Sequence, residues 1–198
     1  GSSATLWNIS VSDKFKIGGT PTDMFLNVPT NSKILVISKA PSGDQFANVS
    51  AQLSNITFYV PNQGLADYKN TWTSIADDKI KPILDLNGLE TMLLTTHDTY
   101  VEDYTVLGET PSNLENYLPE NYSIVKTGEV KMDTPGTYEL KYYLIKTKEV
   151  LAAAVDLDEL GIEGEVIDEV TRTVTVAVED ELMITEWTIT EDGKTREI

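Results

Sequence analysis

The 198-residue chain predicts an all-β protein made of two β-sandwich-like domains. Three observations lead there. Residues 4–78 are rich in Ser, Thr and Asn, with short apolar runs cut by Pro and Gly, as in successive strands and turns. The phrase Asp133-Thr134-Pro135-Gly136-Thr137-Tyr138-Glu139-Leu140-Lys141-Tyr142 reads as a tight turn feeding a strand. Farther on, Val174, Val176 and Val178 alternate with Thr173, Thr175 and Ala177, the period-2 pattern of a half-buried strand.

In the N-terminal region strands are expected at 6–11, 24–28, 33–38, 49–53 and 56–60, with turns at Thr20-Pro21 and Pro41-Ser42-Gly43. Ile34-Leu35-Val36-Ile37 has no polar interruption, which suits a strand buried on both faces. Residues 66–78 fit a short helix, or a loop pinned by Trp72, about equally. The charge balance and the return of strand patterning place a boundary near 77–81. The division is then a Gly1-Ser2-Ser3 cloning remnant, a β-domain over 4–78, a second domain over 79–180 that folds alone, and a C-terminal hairpin or start of a further module over 181–198.

Within the second domain, 108–122 is polar and broken by Pro111 and Pro119, and Ser112-Asn113-Leu114-Glu115 fits the start of a one-turn helix in a crossover between sheets. Tyr138, Leu140, Tyr142 and Leu144 are assigned to one face of the following strand, and Glu139, Lys141, Tyr143 and Ile145 to the other. Residues 183–190 read as a strand, and Asp192-Gly193 as a hairpin turn before 195–198.

Several of these phrases together resemble a known family. Lys81-Pro82-Ile83-Leu84-Asp85-Leu86-Asn87-Gly88, then Tyr100-Val101-Glu102-Asp103-Tyr104-Thr105-Val106, Gly128-Glu129-Val130 and Thr134-Pro135-Gly136-Thr137-Tyr138 follow the order and spacing of a bacterial immunoglobulin-like domain of cell-surface proteins. Arg172-Thr173-Val174-Thr175-Val176 resembles the family's closing strand. The resemblance covers about 81–178 and implies that the second domain is an immunoglobulin-like sandwich, with Tyr138 as its corner tyrosine. The connection over 147–169 is longer than in the family and reads as an acidic insertion before the last strand. The family has no catalytic residues to transfer, so the resemblance implies a spacer or adhesive module outside the cell.

The formal net charge is −17 and is unevenly placed: residues 1–80 are balanced, 81–150 carry −6 and 151–198 carry −11. Such a surface repels nucleic-acid phosphates and anionic membranes. A protein or glycan at the cell surface is the expected partner, with soluble cations or a basic protein surface compatible with the charge. The chain has no cysteine, which removes disulfides, thiol catalysis and thiolate metal sites. No apolar run approaches the ~20 residues that span a bilayer, so no membrane insertion of this fragment is expected.

Two candidate sites follow. Around the glycine bends of Asp156-Leu157-Asp158-Glu159-Leu160-Gly161-Ile162-Glu163-Gly164-Glu165, the carboxylates of Asp156, Asp158, Glu163 and Glu165 offer oxygen ligands for calcium. Counted from Asp156, however, Leu160 and Ile167 occupy places where a calcium loop needs oxygen, which fits a solvated acidic loop better. Tyr59, Tyr68 and Trp72, near Asn62, Gln63 and Asp67, are the aromatic and polar company of a glycan-stacking surface, but also of a sandwich core. His97 is the only histidine, and its neighbour Asp98 would point to the opposite face of a strand, so the pair does not indicate catalysis. Glu102-Asp103 reads as a surface turn. No glycine-rich loop joins a strand to a helix, so nucleotide binding has no support.

The expected function is a non-enzymatic structural or adhesive module of a prokaryotic cell-surface or secreted protein, extracellular and without a catalytic residue or obligatory cofactor. The alternatives are a carbohydrate-binding accessory module of a secreted polysaccharide-processing protein and a virion fibre or decoration protein.

Overall fold

The computed structural model describes residues 6–8, 31–41, 43–44, 46–47, 53–112, 118, 121–147, 156–157, 162–178, 188–191 and 194–197. It is an all-β protein with one short α-helix among the described residues. The strands expected at 24–28 and, apart from Leu53, at 49–53 lie outside the described residues, as does most of the one-turn helix expected at 112–115.

The N-terminal strands are β1 (Leu6–Asn8), β2 (Ser32–Leu35) and β3 (Ile56–Val60). A 3-10 turn over Asn62–Gly64 leads into α1 (Leu65–Thr71), and β4 (Ile80–Pro82) follows. These strands form one sheet in the order β1-β2-β3-β4, and every pairing is parallel. The sequence predicts a β-sandwich-like domain here without specifying the direction of its strand pairing. Parallel neighbours need crossovers, and α1 lies in the crossover from β3 to β4. The sheet also runs to Pro82, past the residue at which the sequence places the boundary.

Both faces of this sheet are covered, as the apolar run in β2 requires. Ile34, Val36, Phe58 and Val60 face a cluster with Tyr68 and Trp72 of the helical crossover. Leu35 and Tyr59 face the other way, into a cluster that contains Leu84, Leu107, Leu140 and Tyr142 of the C-terminal region. The two regions therefore share a core.

The C-terminal region contains β5 (Leu84–Asp85), β6 (Thr91–Thr95), β7 (Thr105–Val106), β8 (Tyr122–Thr127) and β9 (Gly136–Lys146). After these come the short strands β10 (Asp156–Leu157) and β11 (Ile162–Glu163), then β12 (Glu165–Ala177), β13 (Thr188–Glu191) and β14 (Lys194–Glu197). One sheet has the order β6-β12-β9-β8, with β6 parallel to β12 and the other pairs antiparallel. β5 and β7 form a separate antiparallel pair. β13 and β14 form a hairpin in which Glu191 pairs with Lys194, around the turn expected at 192–193.

β9 obeys its alternation: Leu140, Tyr142 and Leu144 are fully buried on the core face. Ile145 is buried as well, because Gly164 lies against it; a Cβ at Gly164 would meet Ile145 Cγ2 at 2.4 Å. The turn ahead of β9 falls earlier than expected. Thr134 N donates to Lys131 O at 3.2 Å, so Met132 and Asp133 make the bend, while Gly136 already belongs to the strand. Tyr138 Oη donates to Thr134 O at 2.7 Å, a corner bond of the kind expected of it.

Candidate functional site

The polar chemistry concentrates where the two regions meet. Only Ile83 separates β4 from β5, and it is fully buried. Its N–H donates to Val60 O and its carbonyl accepts from Leu107 N, both at 2.9 Å. No length of free chain remains there to act as a linker.

Asp168 closes this junction from the C-terminal side. In β12 the register with β9 shifts between Val166 and Asp168, so Ile167 is the extra residue of a β-bulge. Asp168 then stands on the same face as Val170, Arg172, Val174 and Val176, buried in the interior. Its Oδ1 accepts from Asn62 N at 2.8 Å, and its Oδ2 accepts from Asn62 Nδ2 at 2.8 Å and Leu84 N at 3.1 Å. Asn62 Nδ2 also donates to Leu84 O at 2.7 Å. Burial pushes the Asp168 carboxyl up to about 6, against the pull of these hydrogen bonds.

Two further charges are buried nearby. Lys33 Nζ donates to Leu107 O at 2.8 Å and pairs with Glu109 at 2.6 Å. It lies 5.8 Å from the ring centre of Tyr59. Burial, and then the Glu109 charge, push the Tyr59 phenol up to about 12. Arg172 is fully buried and donates to the carbonyls of Leu89, Leu86 and Asp103 and to the hydroxyls of Tyr100 and Tyr142. Glu102 stands 3.6 Å away as its counter-charge and accepts from Lys126 and both tyrosines. Burial acts to raise the Glu102 carboxyl, but these donors outweigh it and hold it below the usual range.

A cleft of about 440 Å³ opens beside the Asp168 junction. Leu65, Pro82, Leu84, Leu86 and Val170 supply its apolar lining, and Asn62, Thr171, Asp85 and Glu90 its polar lining. It is open to solvent on one side and lies where residues of both regions meet.

The expected glycan surface is corrected by burial. Trp72 and Tyr68 are fully buried and Tyr59 nearly so, so these three form no exposed aromatic platform. Trp72 sits edge-on to Phe46 at 5.0 Å and to Tyr68 at 4.6 Å, and its Nε1 donates to Gly43 O at 3.1 Å. Tyr68 Oη donates to Ser38 O at 2.8 Å. They are core residues because the parallel sheet needs a layer over its outer face.

Of the expected calcium ligands, Asp156 and Glu163 are register partners across β10 and β11, Glu165 is exposed and paired in register with Lys146, and Asp158 lies outside the described residues. Among the described residues no group of three or more metal-ligating side chains comes together. His97 is exposed, and Asp98 accepts from Thr95 N and Oγ1, so it serves the turn. Glu102 is exposed, as expected of a surface segment, and its carboxylate also stands against a buried guanidinium.

The sequence assigns no role to Asp168 or Lys33, names Asn62 only as polar company of the aromatics, and names Arg172 only as the start of the closing strand. A signal existed for two of them: Asp168 and Arg172 share parity with Val174 and Val176 and so fall on the core face of one strand.

No helix among the described residues is long and apolar enough to cross a membrane. No family model and no curated protein matches the chain. Among solved structures, a lipoprotein from Bacteroides thetaiotaomicron is similar at 21% identity and a TM-score of 0.29, over 58% of this chain and 50% of that one. The chain thus spans half the length of that lipoprotein chain.

Proposed function

We propose that the chain is a non-enzymatic structural or adhesive module of a prokaryotic cell-surface or secreted protein, in which an immunoglobulin-like sandwich and a small parallel sheet form one stiff body. The observation that carries this reading is the junction. The buried charges of Asp168, Arg172 and Lys33 hold backbone groups of neighbouring segments, so they fix strands relative to one another. Charges held in this way favour rigidity over turnover. The β6-β12-β9-β8 order and the corner bond of Tyr138 support the immunoglobulin-like part, and the sequence resemblance supports a place outside the cell.

Single-molecule pulling of the chain within a polyprotein tests this reading. A module that transmits force through a shared core gives one rupture, which releases the N-terminal sheet and the sandwich together. Two separate ruptures, with the N-terminal sheet lost at lower force, would contradict it.

A further inference from the structure

We infer that the cleft beside the junction receives a basic side chain from a protein partner, an arginine or lysine whose aliphatic stem lies on the apolar floor and whose charged head meets Asp85 and Glu90. The inference names a partner for the adhesive form of the reading above, and rests on it only in taking that partner to be a protein.

Three features select this occupant. The volume of about 440 Å³ holds one long side chain with its flanking backbone, not an extended polymer. The floor of Leu65, Pro82 and Val170 offers apolar contact to a stem of methylenes, the part of Lys and Arg that readily packs on such surface. Both charged groups in the lining are carboxylates, and among the described residues neither forms an ion pair. Asp85 Oδ1 accepts from Asn87 N at 2.8 Å, which steadies that carboxylate without neutralising it.

The surroundings reinforce the choice. With a formal net charge of −17, the chain repels an anionic ligand before contact and attracts a basic surface. A purely apolar ligand would leave two carboxylates to be desolvated without a partner, which is costly. Val170 and Thr171 of β12 and Leu84 of β5 belong to paired strands, so the receiving surface is rigid before binding. Little ordering is then required of the protein, which favours affinity.

The test titrates acetyl-Leu-Arg-Leu-amide into the full chain, followed by amide chemical shifts, with the citrulline analogue as an uncharged copy of the same shape. The expected result is a saturable shift of the amides around Asp85, Glu90 and Thr171. The citrulline peptide and the Asp85→Asn, Glu90→Gln double variant should each bind at least about tenfold more weakly. The double variant should keep its melting temperature, since both groups are solvent-accessible. Equal binding of the two peptides, binding unchanged in the double variant, shifts centred elsewhere, or no saturation would each overturn the inference. A failure here alongside a single pulling rupture removes only the cleft. Two ruptures with cleft binding intact would remove only the stiff-body reading.

Discussion

The N-terminal parallel sheet and the β6-β12-β9-β8 sheet bury their polar groups by different means. On the outer face of the first, buried polar tips belong to aromatic side chains, Tyr68 and Trp72, each donating to a carbonyl of a nearby loop, while the charge this sheet buries, Lys33, is paired with Leu107 O and Glu109 of the other region. In the second, full charges are buried, and Asp168 and Arg172 reach across the fold to Asn62, Leu84, Leu86 and Leu89. The difference shows which region depends on which. Helix α1 and its loops cover only one face of the parallel sheet; the other face, with Leu35 and Tyr59, is covered by the sandwich core itself.

The most severe way to break this relation is to separate the regions. A fragment of residues 79–180 loses Leu35, Tyr59 and Asn62 at once, exposing apolar core and leaving the Asp168 carboxylate without its two donors from Asn62. It should show no cooperative urea transition, and a normal transition would show that the sandwich stands without its partner.

Next come single core changes placed on either side. Arg172→Ala leaves the carbonyls of Leu86, Leu89 and Asp103 without this donor, takes one of two cations from Glu102 and empties a buried volume, and should cost about 3–5 kcal/mol. Trp72→Ala should cost about 3–5 kcal/mol through its cavity. Both should lower the same single unfolding midpoint; a second transition in either variant would mean that the regions unfold separately.

Asp168→Asn sharpens the comparison through pH. Asn offers one acceptor oxygen to these donors where even the protonated carboxyl offers two, so about 1–3 kcal/mol should be lost at low pH. The folded-state carboxyl sits at about 6, above its ordinary value, so between those values the folded protein holds a proton that the unfolded chain has released. The wild-type contribution is therefore full below the unfolded value and declines as pH rises through 6, by of order 3 kcal/mol. The stability difference between wild type and Asp168→Asn should shrink over that window, and a constant difference would place the titration elsewhere. The smallest effect belongs to His97→Ala, on an exposed turn, which should shift stability by less than about 0.5 kcal/mol.

The sequence carried the sandwich strands well because their periodicity is local. Tyr138 to Leu144 and Thr173 to Val176 alternate as read, and the strands on either side of 192–193 pair antiparallel. Pairing direction is not local. The parallel sheet was missed although Ile34-Leu35-Val36-Ile37, buried on both faces, carried its hint. The turn before β9 moved from Pro135-Gly136 to Met132-Asp133 because Gly136 is already paired with Val176 in the ladder. The aromatic group of Tyr59, Tyr68 and Trp72 was legible as residues but not as a location, since the layer that buries it comes from the crossover of a sheet not foreseen. Asp168 was obscured by the acidic run before it and by the bulge at Ile167.

Native-state hydrogen exchange tests most directly whether the two regions share one cooperative core. Amides of Phe58 in β3 and Tyr142 in β9 should exchange through the same opening free energy, and Leu35→Ala should lower both equally. Exchange of Phe58 through a lower-energy opening, with Tyr142 still fully protected, would contradict the account.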